Sequence, residues 1–290
     1  MEYQDVMNSN VKSKRKPYIL AGTATVLVLA IILAVVLVCT IKSEPEGNNG
    51  LKETVLSRCQ SYVNSNPSAL SGNDCEDIWK AFEHAYVGKD PCSVPPETYN
   101  HLMNSVQQKI PCNTLFWSGT KEMVFAFTKD RDCLMTLEET LLGSMFNGLT
   151  WCSNNGSKET FTTGCPVWTK CVNNPVRSFW NRASANFAAT ACGNVSVMLN
   201  GSKNNPFNTE SIFATVEIKN FNPTTMDSLT VLLVTENKDM TTCSNESLEN
   251  LQSIFSSGPL KSVGYKCRVV PQAKVMECID DLEIPCSSCW

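Results

Sequence analysis

The sequence predicts a disulfide-rich α+β or α/β fold. An N-terminal helical subdomain packs on a C-terminal subdomain with a small, mainly parallel sheet, and one transmembrane helix precedes both. Three observations lead to this fold class. Apolar residues recur at helical spacing in the first half of the chain, and they alternate with period two in the second half. An uncharged apolar run near the N-terminus contains Cys39 and precedes the other fourteen of the fifteen cysteines.

Helical spacing predicts five helices, over residues 51–62, 78–85, 97–108, 175–191 and 246–255. Strands are predicted at VSVMLNG, SIFATVEIK (211–219) and LTVLLVT (229–235). As a strand, SIFATVEIK would place Glu217 on one face with Ser211 and Phe213, opposite an apolar core face. That polar face is either exposed to solvent or the floor of a cleft, and the pattern leaves both open.

The apolar run extends from Ile19 to Ile41, 23 residues without a charge, which is enough to span roughly 30 Å of hydrocarbon. Basic residues precede it, so the positive-inside rule predicts a cytoplasmic N-terminus. A cleaved signal peptide is the competing interpretation, although its apolar run is normally only about 7–15 residues long. The predicted organisation is a cytoplasmic tail (1–17), a signal-anchor (18–41), a stalk (42–50) and an ectodomain (51–290) with helical (about 51–170) and α/β (about 171–290) parts.

The cysteines and sequons predict an oxidising compartment. Fourteen cysteines follow the anchor, and in such a compartment they are expected in disulfides. The single C-x-x-C, Cys286 to Cys289, has no second pair with which to form a zinc site. Glycosylation is predicted at Asn155, Asn194, Asn200 and Asn245. The plasma membrane, with an extracellular C-terminal domain, or the endomembrane lumen is therefore expected.

Composition excludes several functional classes. The net charge of −4 gives no basic field for nucleic acid. There are two histidines, His84 and His101, both in predicted helices, so a Ser-His-Asp triad or a histidine-rich metal site is not expected. The sequence also lacks a P-loop and a GxGxxG motif. Carboxylates and aromatic side chains remain as candidates for catalysis.

The helix-capping pattern in TLEETLLG distinguishes the roles of two adjacent carboxylates, Glu138 and Glu139. Thr136 and Glu139 fit a capping box, which explains Glu139 and leaves Glu138 unexplained, with exposure to solvent as the default expectation. Trp180 and Ser184 lie four residues apart in a predicted helix and project from the same face.

Taken together, the stretches LFWS, TLEETLLG, LTWC, CPVW, NNPVRSFW, VMLNGS and IFATVEI resemble the ADP-ribosyl cyclase/cyclic ADP-ribose hydrolase family over roughly residues 51–286. The resemblance implies that Glu217 is the catalytic glutamate and that Trp117 and Trp180 position nicotinamide. It implies that Glu138 contacts the nicotinamide amide and biases the product, and that Ser184 lies near the reacting ribose.

The resemblance also implies a set of binding residues. Ser118, Ser211 and Phe213 would hold the diphosphate and flanking ribose, and Lys121 would contact cyclic ADP-ribose. Asn147 and Gly148 stand where the membrane enzymes of the family carry acidic residues, which alters the charge near nicotinamide. The implied disulfides are Cys59–Cys75, Cys92–Cys171, Cys112–Cys192, Cys152–Cys165, Cys243–Cys267 and Cys278–Cys286, with Cys133 and Cys289 either bonded to each other or free.

The implied activity is cleavage of the nicotinamide–ribose bond of NAD or NADP, with cyclic ADP-ribose as a further substrate and with neither cofactor nor metal. One departure from the family pattern is Gly119, which replaces an arginine and removes a phosphate partner. A surface receptor or adhesion glycoprotein that keeps the fold with little turnover is the alternative. A homodimer or a surface-protein partner is left open.

Overall fold

The computed structural model describes residues 49–67, 72–236 and 242–290. The predicted cytoplasmic tail, the predicted transmembrane segment and most of the predicted stalk lie outside these residues. Within the described ranges, none of the helices is both long and apolar enough to cross a membrane.

The first two predicted helices are confirmed, and both extend beyond the predicted bounds of 51–62 and 78–85. Helix α1 spans Asn49–Ser65 and α2 spans Cys75–Tyr86. The Asp74 carboxylate caps α2 by accepting hydrogen bonds from two backbone N–H groups of its first turn, at 2.8 and 3.1 Å. The expected third helix is shorter than residues 97–108, because a 3₁₀ turn at Pro96–Tyr99 leads into α3 at Asn100–Ser105.

The remaining helices are, in chain order, α4 (Lys121–Thr128), α5 (Leu141–Phe146), α6 (Pro175–Thr190), α7 (Ile218–Asn220), α8 (Glu246–Ser256) and α9 (Gln272–Asp280). The helices predicted at 175–191 and 246–255 are confirmed as α6 and α8. Pro175 occupies the first turn of α6, where its missing N–H costs nothing. The Asn174 side chain accepts from the backbone N–H of Arg177 at 2.9 Å and completes the cap.

The strands are, in chain order, β1 (Leu115–Ser118), β2 (Cys152–Ser153), β3 (Thr160–Phe161), β4 (Gly193–Asn200), β5 (Met226–Thr235) and β6 (Gly264–Pro271). Strands β1, β4, β5 and β6 form a parallel sheet in the order β1–β4–β5–β6, and β2 pairs with β3 in an antiparallel hairpin. The strands predicted at VSVMLNG and LTVLLVT are confirmed as β4 and β5. Because β1 comes from the predicted helical part, the sheet draws strands from both parts of the chain.

The predicted strand at 211–219 is wrong. The chain there forms a π-helical turn, Phe213–Glu217, that continues directly into α7. Phe213 and Glu217 are both buried, four residues apart, while Thr215 between them is exposed. Burial at positions i and i+4 satisfies a helix, so the alternation in the sequence is not the pattern that packs.

The sheet is covered on both faces. Val195, Val197 and Leu199 of β4 pack into a large core that includes the helices on one side. Met198 of β4 and Leu232 of β5 point to a second core on the other side. This alternation follows from the period of two along each strand.

Seven disulfides are present in the described residues, and five of the six implied pairs are confirmed. The implied Cys278–Cys286 bond is wrong, as is the assignment of Cys133 and Cys289 as extras. Cys278 instead bonds Cys289, and Cys133 bonds Cys286. The guanidinium of Arg131 explains the exchange.

Arg131 is buried and donates hydrogen bonds to the backbone carbonyls of Cys278, Asp281 and Ile284. These bonds hold the segment after α9 across the residues that follow Arg131, which brings Cys286 beside Cys133. Cys278 is then within reach of the last cysteine, Cys289.

Candidate active site

A cavity of about 520 Å³ opens beside the carboxyl end of β1. In open sheets of this kind, ligands bind at the carboxyl ends of the strands. All ten residues singled out for catalysis or substrate binding line this cavity: Trp117, Ser118, Lys121, Glu138, Asn147, Trp180, Ser184, Ser211, Phe213 and Glu217. They come from five separate segments, so the fold brings together residues up to a hundred positions apart.

Glu217 ends the π-helical turn at the wall of the cavity and is only 8% exposed. Burial raises the pKa of its carboxyl to about 8, the Ser184 hydroxyl opposes the rise through a hydrogen bond, and the charge of Glu138 adds to it. Desolvation is the largest of these effects because the charged form loses its water. The wide π-helical turn, in which Ile218 N–H donates to the Phe213 carbonyl, sets the direction of this carboxylate.

Glu138 and Glu139 have different surroundings, as the predicted capping box requires. The Glu139 carboxylate accepts from the backbone N–H of Thr136 at 2.8 Å, so the capping box is confirmed. It closes the short 3₁₀ turn Leu137–Glu139, whereas α5 is capped separately by the hydroxyl of Thr140. Glu138 points into the cavity instead.

The Glu138 carboxylate accepts a hydrogen bond from the indole Nε1 of Trp117 at 3.3 Å. Burial raises the pKa of Glu138, and hydrogen bonds from its own backbone, Trp117 and Thr136 and the charge of Lys121 oppose the rise. A close approach by Gly143 supports this placement. A Cβ on Gly143 would lie 1.9 Å from the Leu137 carbonyl oxygen and 2.6 Å from Glu138 Cα, so only glycine lets the turn pack this closely on α5.

Aromatic packing fixes the tryptophans of the cavity. Trp180 meets Phe179 edge-on with ring centroids 5.1 Å apart, and Phe179 in turn packs on Phe146 at 4.8 Å in the helical core. Trp117 packs edge-on against Phe125 of α4 at 5.9 Å. Both indoles are half-buried, so each has a supported edge and a surface that lines the cavity.

The polar residues at the rim are also held by their neighbours. The Ser211 hydroxyl donates to the Asn208 carbonyl at 2.6 Å and accepts from the Ala214 N–H at 3.2 Å, so it starts the turn that carries Glu217. The backbone carbonyl of Asn147 accepts from Arg58 of α1 at 2.7 Å. Arg58 thus neutralises the carboxyl end of α5 and fixes where the Asn147 side chain begins.

The structure also reveals cavity residues that the sequence analysis missed. Val176 and Phe187 share the face of α6 that carries Trp180 and Ser184, at helical spacing. Trp168 stands at the mouth, 39% exposed, with the Arg177 guanidinium 5.9 Å from its ring centre. The sequence did contain signals for three of these residues: the helical period indicates Val176 and Phe187, and the CPVW stretch indicates Trp168. Leu149, Thr150 and Ile212 carry no comparable signal.

A family model described as ADP-ribosyl cyclase matches residues 48–287. The ADP-ribosyl cyclase/cyclic ADP-ribose hydrolase 1 of Rattus norvegicus is 34% identical over 238 residues, covering 80% of this chain and 78% of the rat protein. The chain belongs to the ADP-ribosyl cyclase family. The cyclase of Aplysia californica is 30% identical over 234 residues, covering 77% of this chain and 80% of its own length.

Solved structures agree with membership of the ADP-ribosyl cyclase family. Porcine CD38 with a covalent intermediate superposes with a TM-score of 0.72 at 37% identity, covering 78% of this chain and 98% of the porcine chain. Aplysia cyclase with substrate NGD and product cGDPR gives a TM-score of 0.70 at 27% identity, covering 82% of this chain and 96% of that chain. Membership places the chain among NAD-processing enzymes.

Other predicted features lie away from the cavity. His84 and His101 are exposed and line a separate surface depression with Asp74. Among the described residues, no group of three or more histidine, cysteine or acidic side chains is arranged to hold a metal ion. Of the predicted glycosylation sites, Asn155 and Asn194 are exposed, whereas Asn200 and Asn245 are half-buried. The side chains of Asn194, Asn200 and Asn245 form hydrogen bonds with the protein. Glycosylation stays a prediction at all four.

Proposed function

We propose that this protein cleaves the nicotinamide–ribose bond of NAD and NADP to give ADP-ribose. Synthesis and hydrolysis of cyclic ADP-ribose and base exchange would be side activities, in calcium-messenger metabolism. The observation that carries the proposal is the buried carboxylate of Glu217 in a cavity that Trp117 and Trp180 also line. NAD acts as the substrate, and the chemistry needs no cofactor.

The leaving group explains why one carboxylate suffices. Nicotinamide departs as a neutral molecule from a cationic pyridinium, so it needs no proton from a general acid, unlike the leaving group of an ordinary glycoside. The positive charge that develops on the ribose is stabilised by ionised Glu217, which acts strongly because it is desolvated. Ser184 orients that carboxylate through its hydrogen bond.

The acceptor that reaches the ribose decides the product. Water gives ADP-ribose, the substrate's own adenine gives cyclic ADP-ribose, and another pyridine gives base exchange. The indoles of Trp117 and Trp180 would stack on the nicotinamide ring and limit access of water. Because Glu138 accepts from Trp117, it would hold that indole and contact the nicotinamide amide, and so bias the choice of acceptor.

The direct test is nicotinamide release from NAD by the purified protein. Wild type should release nicotinamide, and Glu217→Gln should release less than about one hundredth as much, since the loss of an electrostatic stabiliser typically costs about 10²–10³ in rate. Glu210→Gln is the matched control, because Glu210 is an exposed carboxylate shortly before the same turn. Absence of release by wild type, or equal release by Glu217→Gln, would refute the proposal.

Product identity tests the role of Glu138. Glu138→Ala should alter the ratio of cyclic ADP-ribose to ADP-ribose more than it alters total nicotinamide release. Separation of the products by liquid chromatography measures both quantities in one reaction. A large loss of nicotinamide release with an unchanged cyclic fraction would show that Glu138 serves the bond-breaking step instead.

We also infer that the protein is a type II surface enzyme, anchored through residues 18–41 with its catalytic domain outside the cell. Support comes from the apolar run with its basic flank and from seven disulfides in the described domain. Intact cells that express the full chain should cleave added NAD. Activity that appears only after the cells are broken would contradict this topology.

A further inference from the structure

Two side chains of helix α1 hold a segment that lines the active-site cavity, although neither of them lines the cavity itself. Arg58 and Tyr62 lie four residues apart, so they project from the same face of α1. This helix packs along the segment from Leu137 to Asn147, which comprises the short 3₁₀ turn and α5. The cavity is lined by the first two residues of the segment, Leu137 and Glu138, and by its last, Asn147.

Tyr62 binds the start of this segment. Its hydroxyl donates to the backbone carbonyl of Glu139 at 2.5 Å and accepts from the Nε2 of Gln108 at 3.0 Å. The Oε1 of Gln108 in turn accepts from the Leu141 N–H at 2.8 Å. This N–H belongs to the first turn of α5 and has no partner within the helix. One hydroxyl therefore connects the 3₁₀ turn and the beginning of α5 to α1.

The Tyr62 hydroxyl remains a donor at neutral pH. Burial raises its pKa, the hydrogen bond with Gln108 opposes the rise, and the charge of Glu139 adds to it. The Tyr62 ring packs against the helical core. Replacement by phenylalanine thus removes the bond to the Glu139 carbonyl and keeps the packing of the ring.

Arg58 binds the end of the segment. Its Nη1 donates to the backbone carbonyls of Met145 and Asn147, at 3.3 and 2.7 Å. Carbonyls at the carboxyl end of a helix lack partners within it, and a positive charge there is favourable. Among the residues that the structure describes, Arg58 forms no salt bridge, so these carbonyls are what its guanidinium binds.

The bound carbonyls lie at or next to the residues that face the cavity. The Glu139 carbonyl is one residue from Glu138, whose carboxylate accepts from the Trp117 indole at 3.3 Å. Consecutive Cα atoms are a fixed distance of about 3.8 Å apart, so a displacement of the Glu139 carbonyl also displaces Glu138. The bond from Arg58 to the Asn147 carbonyl acts on a lining residue directly.

We propose that Tyr62 and Arg58 are positioning residues for the active site, Tyr62 acting through Glu138 and Arg58 acting through Asn147. This inference rests on the proposed function, in which Glu138 contacts the nicotinamide amide and biases the choice of acceptor. Neither side chain touches the substrate. Helix α1 thereby takes part in the choice between ADP-ribose and cyclic ADP-ribose as products.

The first test needs neither substrate nor turnover. Nuclear magnetic resonance of the full chain detects the indole N–H of Trp117, identified by its loss in Trp117→Phe, and its frequency reports the hydrogen bond to Glu138. Tyr62→Phe should shift this signal in the same direction as Glu138→Ala. The signal of Trp290, which packs on Phe127 in the second core, should stay in place. An unmoved Trp117 signal in Tyr62→Phe would overturn the role of Tyr62.

Tyr265→Phe is the matched control for removal of a hydroxyl. Tyr265 is also half-buried and packs against the same core as Tyr62, but it lies on β6 and lines none of the active-site cavity. Within the described ranges, its hydroxyl has no hydrogen-bond partner. The control should therefore leave the Trp117 signal and the product ratio as they are in wild type.

Product identity tests whether Tyr62 acts through Glu138. Tyr62→Phe should change the ratio of cyclic ADP-ribose to ADP-ribose about two- to tenfold, as expected for the loss of one hydrogen bond, and more than it changes nicotinamide release. In a Glu138→Ala background, Tyr62→Phe should have no further effect, because residues that act through one another are not additive. Equal ratios in wild type and Tyr62→Phe, or the same change in both backgrounds, would contradict the proposal.

The KM for NAD tests the role of Arg58. Arg58→Gln should raise KM about two- to tenfold and lower kcat by a smaller factor, since it releases the residue that lines the cavity. Arg58→Lys should reverse most of this rise, because a single nitrogen of Arg58 binds both carbonyls and an ammonium can replace it. Arg268→Gln, at an exposed position on β6, is the matched control. A rise that Arg58→Lys does not reduce, or one of equal size in an Asn147→Ala background, would exclude this role.

These measurements also distinguish the inference from the proposed function. If the Trp117 signal moves in Tyr62→Phe but wild type releases no nicotinamide from NAD, the cleavage proposal fails and the positioning of Glu138 by Tyr62 stands. If wild type cleaves NAD and Tyr62→Phe matches it in the Trp117 signal and in product ratio, positioning by Tyr62 fails and cleavage stands.

Discussion

At the scale of single residues, the surroundings of each carboxylate distinguish the two that line the cavity from the one that stabilises a turn. Glu139 is held by the Thr136 N–H in a capping box, whereas Glu138 accepts from an indole and Glu217 accepts from a serine hydroxyl in the same cavity. Burial raises the pKa of all three carboxyls, but only Glu217 reaches about 8. For Glu217, fewer hydrogen bonds oppose the effect of burial than for Glu138 or Glu139. Glu217 is also the residue whose charge the proposed reaction uses.

The pH dependence of cleavage follows from the pKa of Glu217. The ionised carboxylate is the active form, so kcat/KM for NAD should rise between pH 6 and 9 and level off above an apparent pKa of about 8. Glu138→Gln should move this midpoint to lower pH, because it removes a negative charge that raises the pKa of Glu217. Initial rates at low NAD concentration across this range measure the midpoint. A flat profile would show that Glu217 is already ionised at pH 6.

The same buried carboxylate should lower stability at high pH. The folded-state pKa of about 8 lies above the ordinary glutamate value of 4.5, so the folded protein holds its proton more tightly than the unfolded chain. The free energy of unfolding therefore falls as pH rises from about 4.5 to about 8. Glu217→Gln should be more stable than wild type at pH 8.5, on the order of 4 kcal/mol, and equal to it at pH 4. Urea unfolding at both pH values checks this, and a difference that is the same at both would exclude ionisation as the cause.

At the scale of elements, the candidate site was predictable to a greater extent than the fold around it. The site residues lie in short stretches that are specific as sequence, so their identity did not depend on secondary structure. Glu217 shows this most clearly, because it was singled out from a segment whose predicted strand is wrong. An alternating pattern and a helical one coincide over a few residues when Phe213 and Glu217 both face inward.

Two strands of the sheet lacked a signal of their own. Strand β1 has four residues, too few for a period of two to be distinguished. Strand β6 is the opposite edge of the sheet, and most of its residues are exposed or half-buried, so it has no continuous apolar face. Strand β5, buried between β4 and β6, has the apolar run that predicted it. Edge strands are determined by the neighbour they pair with, which a local pattern does not contain.

The packing of α5 on the turn that carries Glu138 gives a prediction for Gly143. Gly143→Ala should lower the free energy of unfolding by about 1–3 kcal/mol, because its Cβ would overlap the backbone of Leu137 and Glu138. It should also lower kcat/KM for NAD, since the turn must move and shift Glu138. Gly50→Ala is the matched control, on α1 with no atom within 4 Å of the added Cβ. Equal stability of the two variants would show that the turn yields without cost.

At the scale of the whole molecule, the C-terminal segment, residues 278–290, packs on the side of the sheet away from the helical core. Arg131 binds three backbone carbonyls of this segment, and its guanidinium lies 5.5 Å from the ring centre of Phe127. Cys289 packs in the second core, and Trp290 packs against it from the edge. None of the residues that line the active-site cavity belongs to this segment. The segment therefore stabilises the second core without lining the cavity.

The sequence does not determine the disulfide connectivity of this segment. Cys286 and Cys289 are only three residues apart, so either one is close enough along the chain to bond Cys278. The buried hydrogen bonds of Arg131 favour the Cys133–Cys286 and Cys278–Cys289 pairs. Peptide mapping under non-reducing conditions should show Cys133 linked to Cys286 and Cys278 linked to Cys289. Finding Cys278 linked to Cys286 would contradict the structure.

Removal of the Cys133–Cys286 disulfide should lower the free energy of unfolding and leave NAD cleavage unchanged. Cys133→Ser/Cys286→Ser opens a link between residues 153 positions apart, so the free energy of unfolding should fall by about 2–4 kcal/mol. The kcat and KM for NAD should stay within twofold of wild type at 25 °C, since the cavity lies in other elements. Cys278→Ser/Cys289→Ser, which opens a link of only 11 positions, is the matched comparison and should cost less, because a shorter loop restrains the unfolded chain less. Loss of NAD cleavage in a variant that remains folded would show that the C-terminal segment positions the active site after all.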